Sequence, residues 1–434
     1  MSLALIELND AEIKVSIQGD LISCHPGTAI LQPQKLLIGQ QAHEQARLQP
    51  RLRKNRFWDQ LSTEPIPDAT ALVRHNADLA FKQLEALWDE VKTRAEGIII
   101  AVPSTFTKQD LGLILGMCQA GEIPVRSMVD LAVLTTSSTT VNRAAFYLDI
   151  SLHQTVLTEI KSGVALTRGA SHVLSDTGLF RIMERCANAL ADQFIQTNRF
   201  DPLHEAHTEQ ALFDQLDDWL NDPNRANEQL IDVNLQQTSY SCTATLEQLT
   251  AACSDLYPTL IQGIRGASPG KNQILVSHRM LKVPGLATSL ALLPDTELTY
   301  LEADATRSRF AALEKDLFSD LNKVSFITSL PVHNQTIEEL DTPGSLANDH
   351  LAEIGTHMLS GHIAYSLIDA LPEIQALLGE TTKLGITEQG DLELSPAPVT
   401  TIRVNTEPLI TARILLAGDI IASNGQTFTI ISVR

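Results

Sequence analysis

The chain has 434 residues, with 32 Lys plus Arg against 52 Asp plus Glu and a formal charge of −20. That length exceeds what one core usually covers, so two to three domains are expected. The acidic excess opposes general binding to nucleic acid or to an anionic membrane, and neither is expected as a partner.

No segment approaches the roughly 18 apolar residues of a membrane span, and the start MSLALIELNDAEIKV has no basic opening and no small-residue cleavage site. A soluble, cytoplasmic protein is expected. Cys24, Cys118, Cys186, Cys242 and Cys253 form no C-x-x-C pair and read as reduced core thiols.

In chain order, Leu3 to Leu8, Glu12 to Gln18 and Leu21 to Leu31 read as three strands joined by Asn9-Asp10 and Gly19-Asp20 turns. The basic run Arg47, Arg51, Arg53, Lys54 and Arg56 reads as a solvated loop face. An amphipathic helix is expected from about Asn76 to Arg94. Next, GIIIAVPSTFTKQDLGLILGMCQAGEIPVRSMVDLAV, from Gly97 to Val133, reads as a strand–helix–strand unit. Its unalternating run Ile98 to Val102 suits a strand covered on both faces, with Leu111, Ile114, Leu115 and Cys118 at helical spacing on one side.

The same order then recurs about 140 residues later: strands at Ala144 to Ile150, Gln154 to Ile160 and Val164 to His172, a helix from Asp176 to Gln196, and further strand–helix–strand units. Within this second half, residues 198–266 form an insertion: a helix at Glu209 to Asn221, strands at Gln229 to Leu235 and Tyr240 to Thr245, and a helix from Leu246 to Gly263 that starts beside a Thr cap. Gln273 to Ser277 and Glu297 to Leu301 read as strands, with helices at Val283 to Leu292 and Thr306 to Leu317, and Lys323 to Leu330 as one more strand. Pro331, Asp341 to Gly344 and Asn348-Asp349 mark a linker. The rest, with strands at Thr356 to Ile368, Lys383 to Leu394 and Thr400 to Val404 and turns at Gly418-Asp419 and Asn424-Gly425, reads as a small all-β module.

Val102, Pro103, Phe106, Gln109, Ala120, Gly121 and Asp130 match in order and spacing a segment of DnaK-type heat-shock chaperones, members of the actin-like ATPase superfamily. The run SYSCTATLEQLTAACSDLYPTLIQGI resembles the hairpin and helix that cap their nucleotide cleft. The resemblance covers roughly residues 2 to 317. It implies an α/β, duplicated actin-like (DnaK ATPase-domain-like) two-lobed fold with a small all-β C-terminal module: lobe I over 1–140, lobe II over 141–330 with 198–266 as an inserted cap, and linker plus module over 331–434.

The resemblance also implies where nucleotide would bind. The family's first phosphate turn, of D-L-G-T-T type, falls on Glu7-Leu8-Asn9-Asp10-Ala11, which has lost its glycine and hydroxyl residues and gained acids. Its second, of D-L-G-G-G-T type, falls on Asp149-Ile150-Ser151-Leu152-His153-Gln154-Thr155, with all three glycines replaced. Backbone N–H groups need such glycines to approach phosphate. The adenosine turn falls on Val276-Ser277-His278-Arg279, and the acid of the connecting helix on Asp130. Glu7, Asn9, Asp10, Asp130, Asp149, Ser151, His153, Thr155, Ser277 and His278 are thus degenerate nucleotide-cleft positions.

ATP hydrolysis is expected to be gone, with Asp149, Asp130 and Glu7 structural or idle and alanine at Asp149 changing stability modestly. No cofactor is expected; binding of ATP and magnesium is disfavoured. The function expected is a catalytically inactive scaffold or regulator that binds protein partners, the tail after Pro331 facing them. The alternative is an ATP-binding chaperone or small-molecule kinase of the same fold with an atypical phosphate grip. Other patterns carry less. Gly266 to Lys271 is a turn rather than a phosphate loop. His204 and His207 lack a third metal ligand, so no metal is expected. His357 and His362 read as surface residues.

Overall fold

Ser2–Glu7 (β1), Ile13–Ile17 (β2) and Asp20–His25 (β3) form an antiparallel meander. The structure, a computed structural model, describes residues 2–331 except 142–143, 164, 223, 269, 316 and 319–323. After these it describes 357–360, 363–366, 374, 378, 383–386, 392–395, 402–405, 407–409, 413–415, 419–423 and 426–431. Contacts divide the chain into two units, 1–335 and 336–434.

After the meander come Ala29–Leu31 (β4), Leu36–Ile38 (β5), Gln40–His43 (α1), Arg53–Lys54 (β6) and Asn76–Val91 (α2). The apolar run is Ala95–Val102 (β7), followed by Lys108–Ala120 (α3), Val125–Asp130 (β8) and Leu131–Thr136 (α4). Helix α3 opens on a capping box: the Thr107 hydroxyl accepts from the Asp110 N–H, and the Asp110 carboxylate accepts from the Thr107 N–H.

The second half repeats the plan with Ala145–Ile150 (β9), Gln154–Ser162 (β10), Ala165–Ser175 (β11) and Leu179–Asn198 (α5). Its insertion holds Ala206–Asn221 (α6), the hairpin Glu228–Leu235 (β12) and Thr238–Thr245 (β13), Leu246–Ala252 (α7) and Tyr257–Ala267 (α8). Then follow Asn272–Val276 (β14), a 3₁₀ turn at His278–Lys282, Leu286–Leu290 (α9), Thr296–Tyr300 (β15), Ala305–Leu313 (α10), Phe326–Ile327 (β16) and Ser329–Pro331 (β17).

Two six-stranded sheets result, ordered β16-β8-β7-β1-β2-β3 and β15-β14-β9-β10-β11-β17. In each, a meander continues into parallel strands from its first member. Alternate residues of a strand face opposite sides. Accordingly Ile98, Ile100 and Val102 pack with Leu84 of α2 and Ile114 of α3, while Ile99 and Ala101 pack with Leu134, Phe310, Tyr147 and Leu275 between the two sheets. The far face of the second sheet, Phe146, Leu148 and Ile274, is covered by α5, α6 and α8.

Several sequence expectations need correction. The strand over 21–31 is two strands in different sheets, because it breaks at Pro26-Gly27, where the Gly27 N–H turns to the Asp10 carbonyl at 2.6 Å. The helix over 246–263 is two helices; Tyr257-Pro258 opens the second, since proline lacks an N–H and suits a first turn. Helix 283–292 shrinks to α9 behind the 3₁₀ turn. The segment 323–330 contributes to both large sheets, β16 beside β8 and β17 beside β11. Cys24 is exposed, while the other four cysteines are buried.

In the second unit, strands 357–360, 363–366, 403–404, 407–408, 420–423 and 426–431 form a six-stranded sheet, and 383–386, 392–395 and 413–414 a three-stranded one. Its core includes Met358, Ile374, Leu394, Val404, Ile421 and Phe428. Ile374 and Leu378 are helical, so the module is not purely β. The linker at 341–349, His362 and the Asn424-Gly425 turn lie outside the described residues, as does the His357 side chain.

Candidate functional site

In open α/β sheets, ligands bind beyond the carboxyl ends of the strands. Here Glu7 ends β1, Asp149 lies one residue from the end of β9, and Arg279 follows β14. These three side chains meet. The Arg279 guanidinium is wholly buried. It grips Asp149 bidentately, donating from Nε to Oδ1 at 2.9 Å and from Nη2 to Oδ2 at 2.8 Å, and donates from Nη1 to Glu7 Oε1 at 2.6 Å.

Burial works against the charge on each partner, yet the opposite charges overcome it. Asp149 is held below the ordinary carboxylate range by Arg279 against the upward push of burial. Arg279 is burdened by burial but held well above its usual value by Asp149 and Glu7. One guanidinium against two carboxylates leaves this buried cluster with a net negative charge. A phosphate group would meet repulsion there.

The first turn crosses to the second. The Asn9 amide donates to Asp149 Oδ2 at 3.1 Å and to the Ile150 carbonyl at 3.0 Å. The Asn9 side-chain oxygen accepts from the Ala11 N–H at 3.0 Å, forming a local side-chain turn. Asp10 Oδ1 accepts from the Leu152 N–H at 2.8 Å. Burial pushes the Asp10 carboxyl up to about 7, with Asp59 and Asp149 adding to the rise.

The second turn is closed from behind by α5. The Leu179 and Phe180 N–H groups each donate at 2.9 Å, to the carbonyls of Ser151 and Leu152. These donors of the helix start are therefore used internally. Gly178 permits the approach: a Cβ there would lie 2.4 Å from the His153 backbone. His153 Nε2 lies 2.8 Å from the Asn55 carbonyl, and burial keeps this imidazole below its usual value. It therefore donates from Nε2 as the neutral ring. The Ser151 hydroxyl donates to the Gln154 carbonyl at 3.2 Å, and the Thr155 hydroxyl to the Thr177 carbonyl at 3.0 Å.

The remaining candidate residues hold backbone or ion pairs. Asp130 caps α4 by accepting from the Val133 N–H at 3.1 Å, and also accepts from the Ser104 hydroxyl at 3.0 Å. Burial raises its carboxyl despite these bonds and Arg168 nearby. Ser277 accepts from the Arg279 N–H at 3.2 Å and so seats the arginine. His278 Nε2 lies 2.7 Å from Lys14 Nζ and 3.1 Å from Glu12, which Lys282 also pairs. Burial lowers the His278 imidazole.

Thus Asn9, Asp10, Asp149 and Ser151 surround one small cavity of about 50 Å³, with Asp59, Trp58 and Phe106 beside them. At about 10–15 Å³ per water in the same measure, that space suits a few waters. Mg-triphosphate is far larger.

Sequence reasoning missed Arg279. The available signal was two acids placed at strand ends, Glu7 and Asp149, which demand a buried cation, and an arginine directly after the apolar strand β14. It also misread the basic run. Arg47 is buried, paired with Glu184 at 2.6 Å and Glu209 at 3.1 Å, while Arg53 is half-buried; Arg51 and Arg56 are exposed as expected. Among the described residues no cluster of His, Cys, Asp or Glu is arranged to hold a metal, and no helix is long and apolar enough to cross a membrane. No family model matches the chain, and no curated protein matches it.

Proposed function

We propose that the chain is a catalytically inactive member of the actin-like ATPase superfamily, similar to DnaK-type proteins, and acts as a protein-binding scaffold or regulator. Arg279 carries this reading. In a working family member the space between the two phosphate turns takes nucleotide; here a buried guanidinium and its two carboxylates stand at the strand ends, and only about 50 Å³ stays open between those turns. The shared strand order of the two large sheets supports the duplicated, two-lobed plan. Function resides in the site rather than the fold, and this site offers hydrogen bonds already satisfied by the protein itself.

An inert cleft turns attention to surfaces. The unit after residue 335 has its own core and strands, which suits docking of a protein surface or addition of a strand at an edge. Two measurements test the reading. A ligand at one hundred times its Kd adds about 2.7 kcal/mol of stability, so Mg-ATP is expected to leave the melting temperature unchanged, and phosphate release to stay at the blank. An upward melting shift or release above the blank rejects the proposal. For the scaffold role, affinity capture with the full chain is compared with a form ending at Pro331. Partners retained equally by both place binding outside the tail.

A further inference from the structure

A second cavity, of about 220 Å³, is lined by none of Glu7, Asp149 and Arg279 and lies between residues 24–55 and helices α5 and α6. Its apolar wall includes Leu179, Ile182, Met183, Phe213 and Leu220. Two polar side chains at its edge are unused. Arg53, in β6, and Asn55, just beyond it, both line it. Among the described residues the Arg53 guanidinium has no hydrogen-bond or ion-pair partner; it lies only over the Phe180 ring, 4.8 Å from its centroid. The Asn55 amide has none either, its carbonyl being taken by His153.

Burial lowers Arg53 against its usual value, as does neighbouring Arg47. Its neighbour is already served: Arg47 stands between Glu184 and Glu209 and over the Phe213 ring, 3.4 Å from its centroid. Those two glutamates form ion pairs with Arg47 alone and act on Arg53 only from farther off, partly offsetting the fall. Of the cations along the wall, Arg47 is paired with Glu184 and Glu209 and Lys282 with Glu12, whereas Arg53 has no ion pair among the described residues.

We propose that this cavity binds a small amphipathic carboxylate, its anionic end on Arg53 and Asn55 and its apolar body against α5 and α6. A planar guanidinium fork matches a carboxylate bidentately, and an adjacent amide adds a donor. One cation without an ion pair matches a monoanion rather than a phosphate dianion. In size, a cavity of about 150 Å³ takes benzene, so this one suits an aryl ring with a short acid chain. The proposal is independent of the reading of the cleft at Arg279.

The test titrates the full chain with 3-phenylpropanoate and, as its uncharged counterpart, 3-phenylpropan-1-ol, by calorimetry and ligand-observed NMR. The acid is expected to bind saturably and the alcohol about tenfold or more weakly, as loss of a charge-assisted bond implies. Arg53→Met is expected to erase that difference. Asn55→Ala, which leaves the backbone carbonyl in place, is expected to weaken the acid severalfold while the melting temperature holds; it serves if Arg53→Met does not fold. Equal affinity for acid and alcohol, acid binding unchanged in a folded variant, or no saturation by about 10 mM acid overturns the proposal.

Discussion

Replacing Arg279 with methionine probes the cleft most directly. The apolar stem is kept and the guanidinium removed, so three charge-assisted hydrogen bonds of 2.6, 2.8 and 2.9 Å vanish. Glu7 and Asp149 stay behind, buried and without a cation. Removing one partner of a buried ion pair costs about 3–5 kcal/mol. That is less than three bonds at about 1.5–3 kcal/mol each, because stranded carboxylates relieve themselves by taking up protons. A loss of about 3–5 kcal/mol is expected near pH 8.

The pH dependence gives a second check. In the wild type Asp149 is held below its ordinary value, so its contribution is present above the unfolded carboxylate value of about 3.9 and lost as pH falls through the folded one. In the variant Asp149 loses the charge that holds it down, burial acts on it unopposed by Arg279, and the sign reverses: protonation recovers stability. The gap between wild type and variant should therefore narrow from about pH 8 to about pH 5. Urea denaturation followed by tryptophan fluorescence reads this unit alone, since Trp58, Trp88 and Trp219 are the only tryptophans and all precede residue 336. A loss under about 1 kcal/mol, or a gap independent of pH, refutes the account of the cluster as a buried ionic lock.

Asp10, pushed to about 7, is raised above its unfolded value and so costs stability as pH rises from about 4 through about 7. Asp10→Asn, which can still accept from the Leu152 N–H, should flatten that slope and stabilise the protein at pH 8 relative to wild type, as read by urea midpoints. Gly178→Ala should cost about 1–3 kcal/mol or more by driving a methyl into the His153 backbone; an unchanged midpoint would show that the turn can yield. Asp149→Ala, expected from sequence to be mild, should instead approach the Arg279→Met loss, since the guanidinium keeps only Glu7 and a 3.5 Å contact to the Tyr147 hydroxyl. Asp130→Ala should cost about 1–2 kcal/mol through its cap on α4, measured the same way.

The sequence by itself determined what is local. The unalternating run in β7, the Thr107 and Asp110 box before α3, and the recurring meander are written in neighbouring residues, because strand burial, helix caps and turns depend on spacings of a few positions. It also showed that the turns Glu7 to Ala11 and Asp149 to Thr155 hold no glycine. Only the tertiary structure decided which side chains meet beside them. Glu7 and Arg279 stand 272 positions apart and Asp149 and Arg279 stand 130 apart, so no periodicity links them. Composition likewise placed Arg47 in a basic surface run, whereas Glu184 and Glu209, from another part of the chain, draw it inside. A charge is buried where partners converge in space, and that convergence is a property of the packed sheets and helices rather than of any segment.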